Sequence, residues 1–309
     1  MESIPIYNYY LKIKLIQSAN FVSSKLLRIS SKLMIFSSFL IKEISHIAII
    51  FGIMYFIYIQ YSMKTDRNDD SALLEEGLAL LGIEATDQIL SLLIKYTDEI
   101  ELFNPAYGLV KVRDRRELIV KHIFDSLAPI NIIRRLSETK QIADISSGAG
   151  LQGKPTTTRI ADIGSGAGLP GIPLAICLPD SEFTLVERMG RRAGFLRDVI
   201  AVLGISNVTV EEAEMEKLAA NPAARFDLIA FRAFKPLEGG MLKKLVALLA
   251  PGGTLTAYKG RLDSINEEMA GLVPENGKGG FSVNWDIFPL EVPFLEEERH
   301  LVVVRKRSN

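Results

Sequence analysis

Apolar and polar positions along this chain change their period near residue 159. Upstream, from Ser71, the apolar residues fall at helical spacing: Leu73, Leu74, Leu78, Leu80 and Leu81, with Gly82 as a stop. Thr86 or Asp87 caps a second helix carrying Ile89, Leu90, Leu93, Ile94, Tyr96 and Ile100, and a third is predicted over Arg115 to Leu127. Residues 63–136 therefore read as a small helical module. Its apolar faces must dock on something, most simply on the α/β segment that follows. Downstream, short apolar runs alternate with helical stretches. Strands are predicted at Ile160–Ile163, Phe183–Val186, Val208–Val210, Phe226–Phe231 and Thr254–Tyr258. Helices are predicted over Arg191–Leu203, stopped by Gly204, and over Leu237–Leu249, ended by Ala250-Pro-Gly-Gly253. Phe281–Phe288 and His300–Arg305 read as an antiparallel pair at the sheet edge. Repeated βα units with this late hairpin predict an α/β fold over 159–309, a mostly parallel sheet covered by helices and finished by one reversed strand.

The junction at Ile160-Ala-Asp-Ile-Gly-Ser-Gly-Ala-Gly-Leu-Pro-Gly-Ile-Pro-Leu-Ala-Ile176 carries the chemistry, because a buried strand breaks there into a glycine turn and then a helix. Gly164, Gly166 and Gly168 allow the backbone to turn sharply and to approach a ligand that any Cβ would strike. The spacing is G-x-G-x-G rather than the G-x-G-x-x-G of dinucleotide binders. Asp162 stands two residues before the first glycine, where a carboxylate would repel a pyrophosphate but suits a cationic, hydroxyl-rich ligand. S-adenosylmethionine, with a sulfonium, an ammonium and a ribose but no phosphate, fits. The acid that doubly wound folds set against ribose hydroxyls is expected about 20 residues on, and Glu187 closes the strand Phe183-Thr-Leu-Val at that point.

Composition narrows the picture. The 309 residues, 48% hydrophobic and 24% charged, suffice for one sizeable core and an accessory segment. A single cysteine, Cys177, excludes an internal disulfide and a cysteine-rich metal site, and suits core packing in a reducing cytoplasm. His46, His122 and His300 are scattered, so no metal is expected. The first 62 residues differ in kind, being basic and apolar, with Ile44 to Ile59 an almost unbroken apolar run at the short edge of what crosses a bilayer. A membrane anchor is one reading of residues 1–62. The other is an over-extended reading frame, with translation beginning at Met63, where a polar start precedes an amphipathic helix. A further oddity is Ile142-Ala-Asp-Ile-Ser-Ser-Gly-Ala-Gly-Leu151, nearly repeating Ile160 to Leu169. With Ser146 in place of the leading glycine, and Gln152-Gly-Lys-Pro-Thr-Thr-Thr158 where a helix should start, residues 137–158 read as an inserted surface loop.

Several motifs together resemble the RsmG (GidB) family of bacterial 16S ribosomal RNA guanine-N7 methyltransferases. They are Asp162-Ile-Gly-Ser-Gly-Ala-Gly-Leu-Pro-Gly-Ile-Pro-Leu-Ala175, Arg191-Arg-Ala-Gly-Phe-Leu-Arg197, Phe231-Arg-Ala-Phe234, Pro251-Gly-Gly253, Tyr258-Lys-Gly260 and, in the helical module, His122-Ile-Phe-Asp-Ser126. The resemblance spans about residues 71 to 306. It implies a class I S-adenosylmethionine-dependent methyltransferase, Rossmann-like, cytoplasmic and monomeric. The implied partner is 16S ribosomal RNA or the small ribosomal subunit, with guanosine 527 as the family target. It places Gly164 and Leu169 in the cofactor cradle, Glu187 on the ribose, Met215 and Glu216 beside the adenine, and Arg232 in the cofactor or guanine pocket as an orienting residue. Two departures are visible: Gly108 stands where the family usually has asparagine, and residues 137–158 are extra.

Guanine N7 has a lone pair and no proton at neutral pH, so the implied reaction needs no general base; placing N7 in line with the methyl group can supply ~7–11 kcal/mol. The formal net charge of −1 argues against a broad electrostatic footprint for RNA. Local clusters remain as candidate contacts: Arg113, Arg115, Lys121 and His122 in the helical module, and Arg191, Arg192, Arg197 and Lys259 in the sheet domain. Two rival classes stand beside this reading. One is a methyltransferase for a small molecule or protein side chain; the other is a membrane-tethered module that senses the cofactor without catalysis.

Overall fold

The computed structural model describes residues 69–146, 157–221, 224–232, 237–272 and 283–307. The apolar run 44–59, and the glycine-bearing part of the near-repeat, lie outside them. Helix α1 covers residues 69–80 and buries Leu73, Leu74 and Leu78; Gly82, at φ 67°, ends it. Helix α2 (Asp87–Tyr107) starts at Thr86, whose hydroxyl accepts from the Ile89 N–H at 3.2 Å, and ends at Gly108, at φ 58°. That left-handed position favours glycine first, with asparagine next among the other residues.

The third predicted helix is one continuous run of unusual pitch. Helix α3 (Arg115–Leu118) opens on Asp114, whose carboxylate caps the Glu117 N–H at 2.8 Å. It widens into a π-helical turn (Ile119–Phe124) and tightens again as α4 (Asp125–Leu127). Such turns recur at functional sites, and this one carries His122 and ends at Asp125. Helix α5 (Ile130–Ser146) follows. Residues 137–146, expected in a surface loop, are helical instead. Lys and Gln in Leu136-Ser-Glu-Thr-Lys-Gln-Ile142 are good helix formers, and the run contains no glycine or proline.

Seven strands form one sheet in the order β3-β2-β1-β4-β5-β7-β6. They are β1 (Arg159–Ile163), β2 (Glu182–Val186), β3 (Val208–Glu211), β4 (Phe226–Arg232), β5 (Leu249–Lys259), β6 (Val283–Leu290) and β7 (Arg299–Lys306). β1 to β5 are parallel. β7 is reversed against both β5 and β6 and lies one place in from the edge. Between the strands run α6 (Gly171–Cys177), α7 (Gly190–Leu203), α8 (Met215–Ala219), α9 (Gly239–Ala247) and α10 (Leu262–Gly271).

Ala250-Pro-Gly-Gly253, expected to end a helix, is instead a bulge inside β5. Phe226 pairs with Leu249 and Leu228 with Thr254, so the residues between are looped out, with Gly252 at φ 73°. Two-residue alternation splits the core into two layers. Ile160, Leu228, Ala230, Leu301 and Val303 face a layer shared by α1 to α7. Ala161, Ile229, Phe231, Val302 and Val304 face the layer under α8 to α10. The helical module and the sheet thus share one core within one compact unit. Cys177 is buried in it, its thiol pushed up to about 12 by burial, which leaves it inert.

Candidate active site

Strand order reverses between β1 and β4, the place where open α/β sheets bind ligands beyond their carboxyl ends. The glycine turn sits there. Gly164 and Ser165 donate to the Val186 carbonyl at 2.8 and 3.1 Å, which ties the turn to the end of β2. Gly164, Gly166 and Gly168 have φ of 77°, 59° and 94°. Their reasons differ. A Cβ on Gly168 would lie 2.5 Å from Ile172 Cδ1, so core packing demands that glycine, whereas a Cβ on Gly164 would meet no protein atom within 4 Å and would project into open space. Leu169 is 5% exposed and packs in the first core layer.

Asp162 is 1% exposed. One oxygen, Oδ2, accepts from the Gly171 N–H at 3.0 Å; Oδ1 has no partner among the described residues. Burial pushes its carboxyl up to about 6 against the pull of the Gly171 N–H, the nearby Ser165 hydroxyl and the Arg232 charge. A buried, half-satisfied carboxylate fits a ligand that brings a cation or a donor. Glu187, 5% exposed, accepts from the Gly166 N–H through Oε2 at 3.0 Å and from the Met189 N–H through Oε1 at 2.9 Å. Both oxygens keep a lone pair for hydroxyls. Sequence reasoning missed Met189, which stands 45% exposed next to this acid. Met215 is partly buried against the second core layer, and Glu216 is exposed and accepts from Lys244 at 2.6 Å.

The other half of the site joins residues far apart in sequence. Arg232, at the carboxyl end of β4, donates from Nη1 to Asp125 Oδ2 at 3.2 Å and from Nη2 to His122 Nδ1 at 2.9 Å. Asp125 Oδ1 accepts from Arg299 Nε at 3.0 Å. Burial, and then the Arg232 charge, hold His122 down to about 3. Two buried tyrosines fasten the helical module to the site: Tyr96 donates to the Ala167 carbonyl at 2.8 Å, and Tyr258 donates to the Ser126 carbonyl at 3.0 Å. Asp125, Arg299, Tyr96 and Tyr258 were not singled out as site residues from sequence. Of these, Asp125 had a signal in the H-x-x-D-S pattern and Tyr258 one in Tyr258-Lys-Gly260.

The candidate RNA contacts separate into two groups. Arg115 is three-quarters or more buried and faces Asp70, Asp98 and Glu101, and Lys259, 8% exposed, is clasped by Glu268 at 2.7 Å. Their charges are neutralised within the fold. Lys121 bridges Glu117 and Glu297, both at 3.1 Å, Arg113 pairs with Glu117, and Arg197 pairs with Glu212 at 3.0 Å. Arg191 lies over the Tyr107 ring at 4.8 Å and donates to the Ala106 carbonyl, which joins α7 to the end of α2. Arg192, half-exposed, has no carboxylate partner among the described residues. No group among the described residues has the make-up of a metal site, and none of their helices is long and apolar enough to cross a membrane.

A parallel sheet with a reversed seventh strand, and a glycine turn bearing a half-satisfied carboxylate at its switch point, define a class I methyltransferase fold. The family model described as rRNA small subunit methyltransferase G matches residues 89–157 and 152–273, two stretches that meet beside the near-repeat. The chain belongs to that family. Ribosomal RNA small subunit methyltransferase G of Treponema denticola is 36% identical over 275 residues, 79% of this chain and all of that protein. The protein of the same name from Xanthomonas axonopodis pv. citri is 40% identical over 238 residues, 77% of this chain and 96% of its own length. That from Treponema pallidum is 37% identical over 234 residues, 75% and 93%.

Proposed function

We propose that this protein methylates 16S ribosomal RNA in the cytoplasm, transferring a methyl group from S-adenosylmethionine to guanine N7 at the family's target, guanosine 527. The family supports the substrate class. The observation that carries the choice of N7 is the state of the bases in the site. His122 Nδ1 already accepts from Arg232, and Asp125 is held between two guanidiniums. Neither is poised to take a proton, and the free oxygen of Asp162 is committed in this reading to the cofactor's cation, which suits an acceptor atom that has a lone pair and no proton to lose. An amine or hydroxyl acceptor would call for a general base within reach.

The sulfonium supplies an activated methyl group, and N7–CH3 bond formation leaves the electron pair of the broken S–CH3 bond on sulfur, with no proton moved. Asp162 Oδ1 would receive a cationic donor from the cofactor, Glu187 would take the ribose hydroxyls, and the open space over Gly164 would admit its body. Met189, Met215 and Glu216 would flank the adenine, and Leu169, whose side chain is buried, would contribute backbone. Arg232, fixed by Asp125, would orient the target nucleotide. Its side chain is 17% exposed, so its charge acts in a partly dry crevice. Among the candidate contacts, Arg192 has neither a carboxylate nor a ring partner among the described residues and would be free to meet phosphates, with Arg113, Lys121, Arg191 and Arg197 reaching RNA only by sharing or exchanging partners.

Incubating the protein with methyl-labelled cofactor and, separately, small ribosomal subunits, naked 16S RNA, protein extract and metabolites tests this reading. The expected product is N7-methylguanosine in the RNA, located by borohydride and aniline cleavage. Label confined to protein or small molecules would refute it.

A further inference from the structure

We propose that His122 reads the exocyclic oxygen of the target guanine, its Nε2–H donating to O6 and turning away any base with an amine at that position. The inference rests on the N7 reading above and adds the residue that selects the base.

The tautomer follows from the contact with Arg232. A guanidinium can only donate, so at 2.9 Å the His122 Nδ1 must accept. A ring whose Nδ1 accepts carries its proton on Nε2. Burial and the neighbouring guanidinium keep the ring neutral through the physiological range. Rotation of Arg232 would release the ring, and Asp125 prevents it: the carboxylate is 6% exposed and is pinned on its other side by Arg299. His122 therefore presents a donor of fixed identity.

That donor is also unsatisfied. The residues after His122, Ile123 to Leu127, are buried, while His122 itself is partly exposed, and its Nε2 has no hydrogen-bond partner among the described residues and is not among their fully enclosed polar atoms. Its partner Arg232 ends β4 at the switch point and lies close enough to Asp162 and Tyr96 for its charge to act on both. The ring that carries the donor is thus held by a residue of the switch point.

On the purine edge facing the methyl group, N7 must keep its lone pair for the new bond, which leaves the substituent at C6 for recognition. Guanine offers an acceptor there, O6; adenine offers an amine. A donor that cannot become an acceptor sets two N–H groups against each other when an amine arrives. Methyl transfer makes the purine cationic and O6 a weaker acceptor, so this bond is at least as strong before the reaction as in the transition state. Its loss falls mainly on KM and on the choice of base, less on kcat.

The test uses small subunits reconstituted with guanosine or with 2,6-diaminopurine ribonucleoside at the target position. The analogue keeps N7 and the 2-amino group and replaces O6 with an amine. Full-length wild type, His122→Gln and His122→Asn are assayed for kcat and KM on each base, with cofactor affinity measured in parallel. The wild type is expected to favour guanosine by about 10- to 100-fold in kcat/KM. An amide can turn to offer its oxygen, so that preference should shrink about tenfold in the variants, chiefly through KM. A wild type indifferent to the two bases overturns the proposal without any variant. So does a variant that binds cofactor normally and loses equal activity on both bases. Wild-type protein that forms no N7-methylguanosine overturns the N7 reading and this inference together; normal N7 methylation with an unchanged preference overturns the inference alone.

Discussion

Tyr96 of the second helix donates a hydrogen bond to the carbonyl of Ala167, in the middle of the glycine turn, from 71 residues earlier in the chain. The helical module therefore braces the turn directly. Tyr96→Phe removes the donor and leaves a buried carbonyl unpaired, a loss of about 1–3 kcal/mol. Urea unfolding should show that loss, and calorimetric titration should show cofactor affinity falling severalfold, since the loosened turn must be ordered on binding.

Gly164 and Gly168 should fail in different ways. Gly164→Val places its side chain in open space, so it should abolish cofactor binding while the protein still folds, at a backbone cost of about 1–2 kcal/mol for its φ of 77°. Gly168→Ala drives a methyl group against Ile172 and Leu196 and should lower stability by about 1–3 kcal/mol or more. Comparing binding and melting for the two variants checks the assignment; equal cofactor affinity in Gly164→Val and wild type would count against the cradle.

Cofactor affinity should depend on pH through Asp162. Its carboxyl, raised to about 6 chiefly by burial, loses its charge as pH falls through that value, and with it the attraction for a cationic ligand. Affinity is expected to fall up to about tenfold per pH unit below 6, and Asp162→Asn should flatten the profile at the weak limit. Stability carries two opposed slopes over the same range. The raised Asp162 contributes stability that is present below its ordinary value and is lost as pH rises through about 6. His122, lowered to about 3 by burial first, contributes stability that is full above its ordinary 6.5 and declines as pH falls from there. Arg232→Ala should raise the His122 pKa toward its ordinary value, which histidine NMR can follow, and should reduce turnover more than stability.

Charge substitutions should divide along the ion pairing. Arg115→Ala removes a cation shared by Asp70, Asp98 and Glu101, and Lys259→Met leaves the largely buried Glu268 carboxylate without that ammonium, so both should cost stability, the second by about 3–5 kcal/mol. Arg192→Ala should leave melting unchanged within about 0.5 kcal/mol while weakening RNA binding and reducing its salt dependence by about one ion. Filter binding across a salt series, alongside thermal unfolding, measures both.

Local signals account for what the sequence made legible. The turn after Ile163, the caps at Thr86 and Gly204, and the short apolar runs of β1, β4 and β7, buried on both faces, are all encoded within a few neighbours. Gly204 closes α7 at φ 65°, where a stop was expected. The bulge at Ala250–Gly253 was misread because proline and two glycines end a helix and loop out a strand equally well; pairing with Phe226 and Leu228 decides which. The charges were countable but not sortable. Nothing near Arg115 in sequence shows that Asp70 lies against it, nor anything near Lys259 that Glu268 folds back from the next helix. Asp125 and Arg299 meet across 174 residues, so although the H-x-x-D-S pattern marked Asp125, its pairing is a product of topology and nothing near Arg299 announces it.

The same long reach bears on when the enzyme comes into being. Arg299 opens β7, and that strand must slot between β5 and β6 before its guanidinium can steady Asp125. Until it does, Asp125, Arg232 and His122 lack one of their restraints. The glycine turn is tied to neighbouring residues and the end of β2, whereas this cluster is set only once strands far apart in sequence have paired, so the two halves of one site differ in how late they can form.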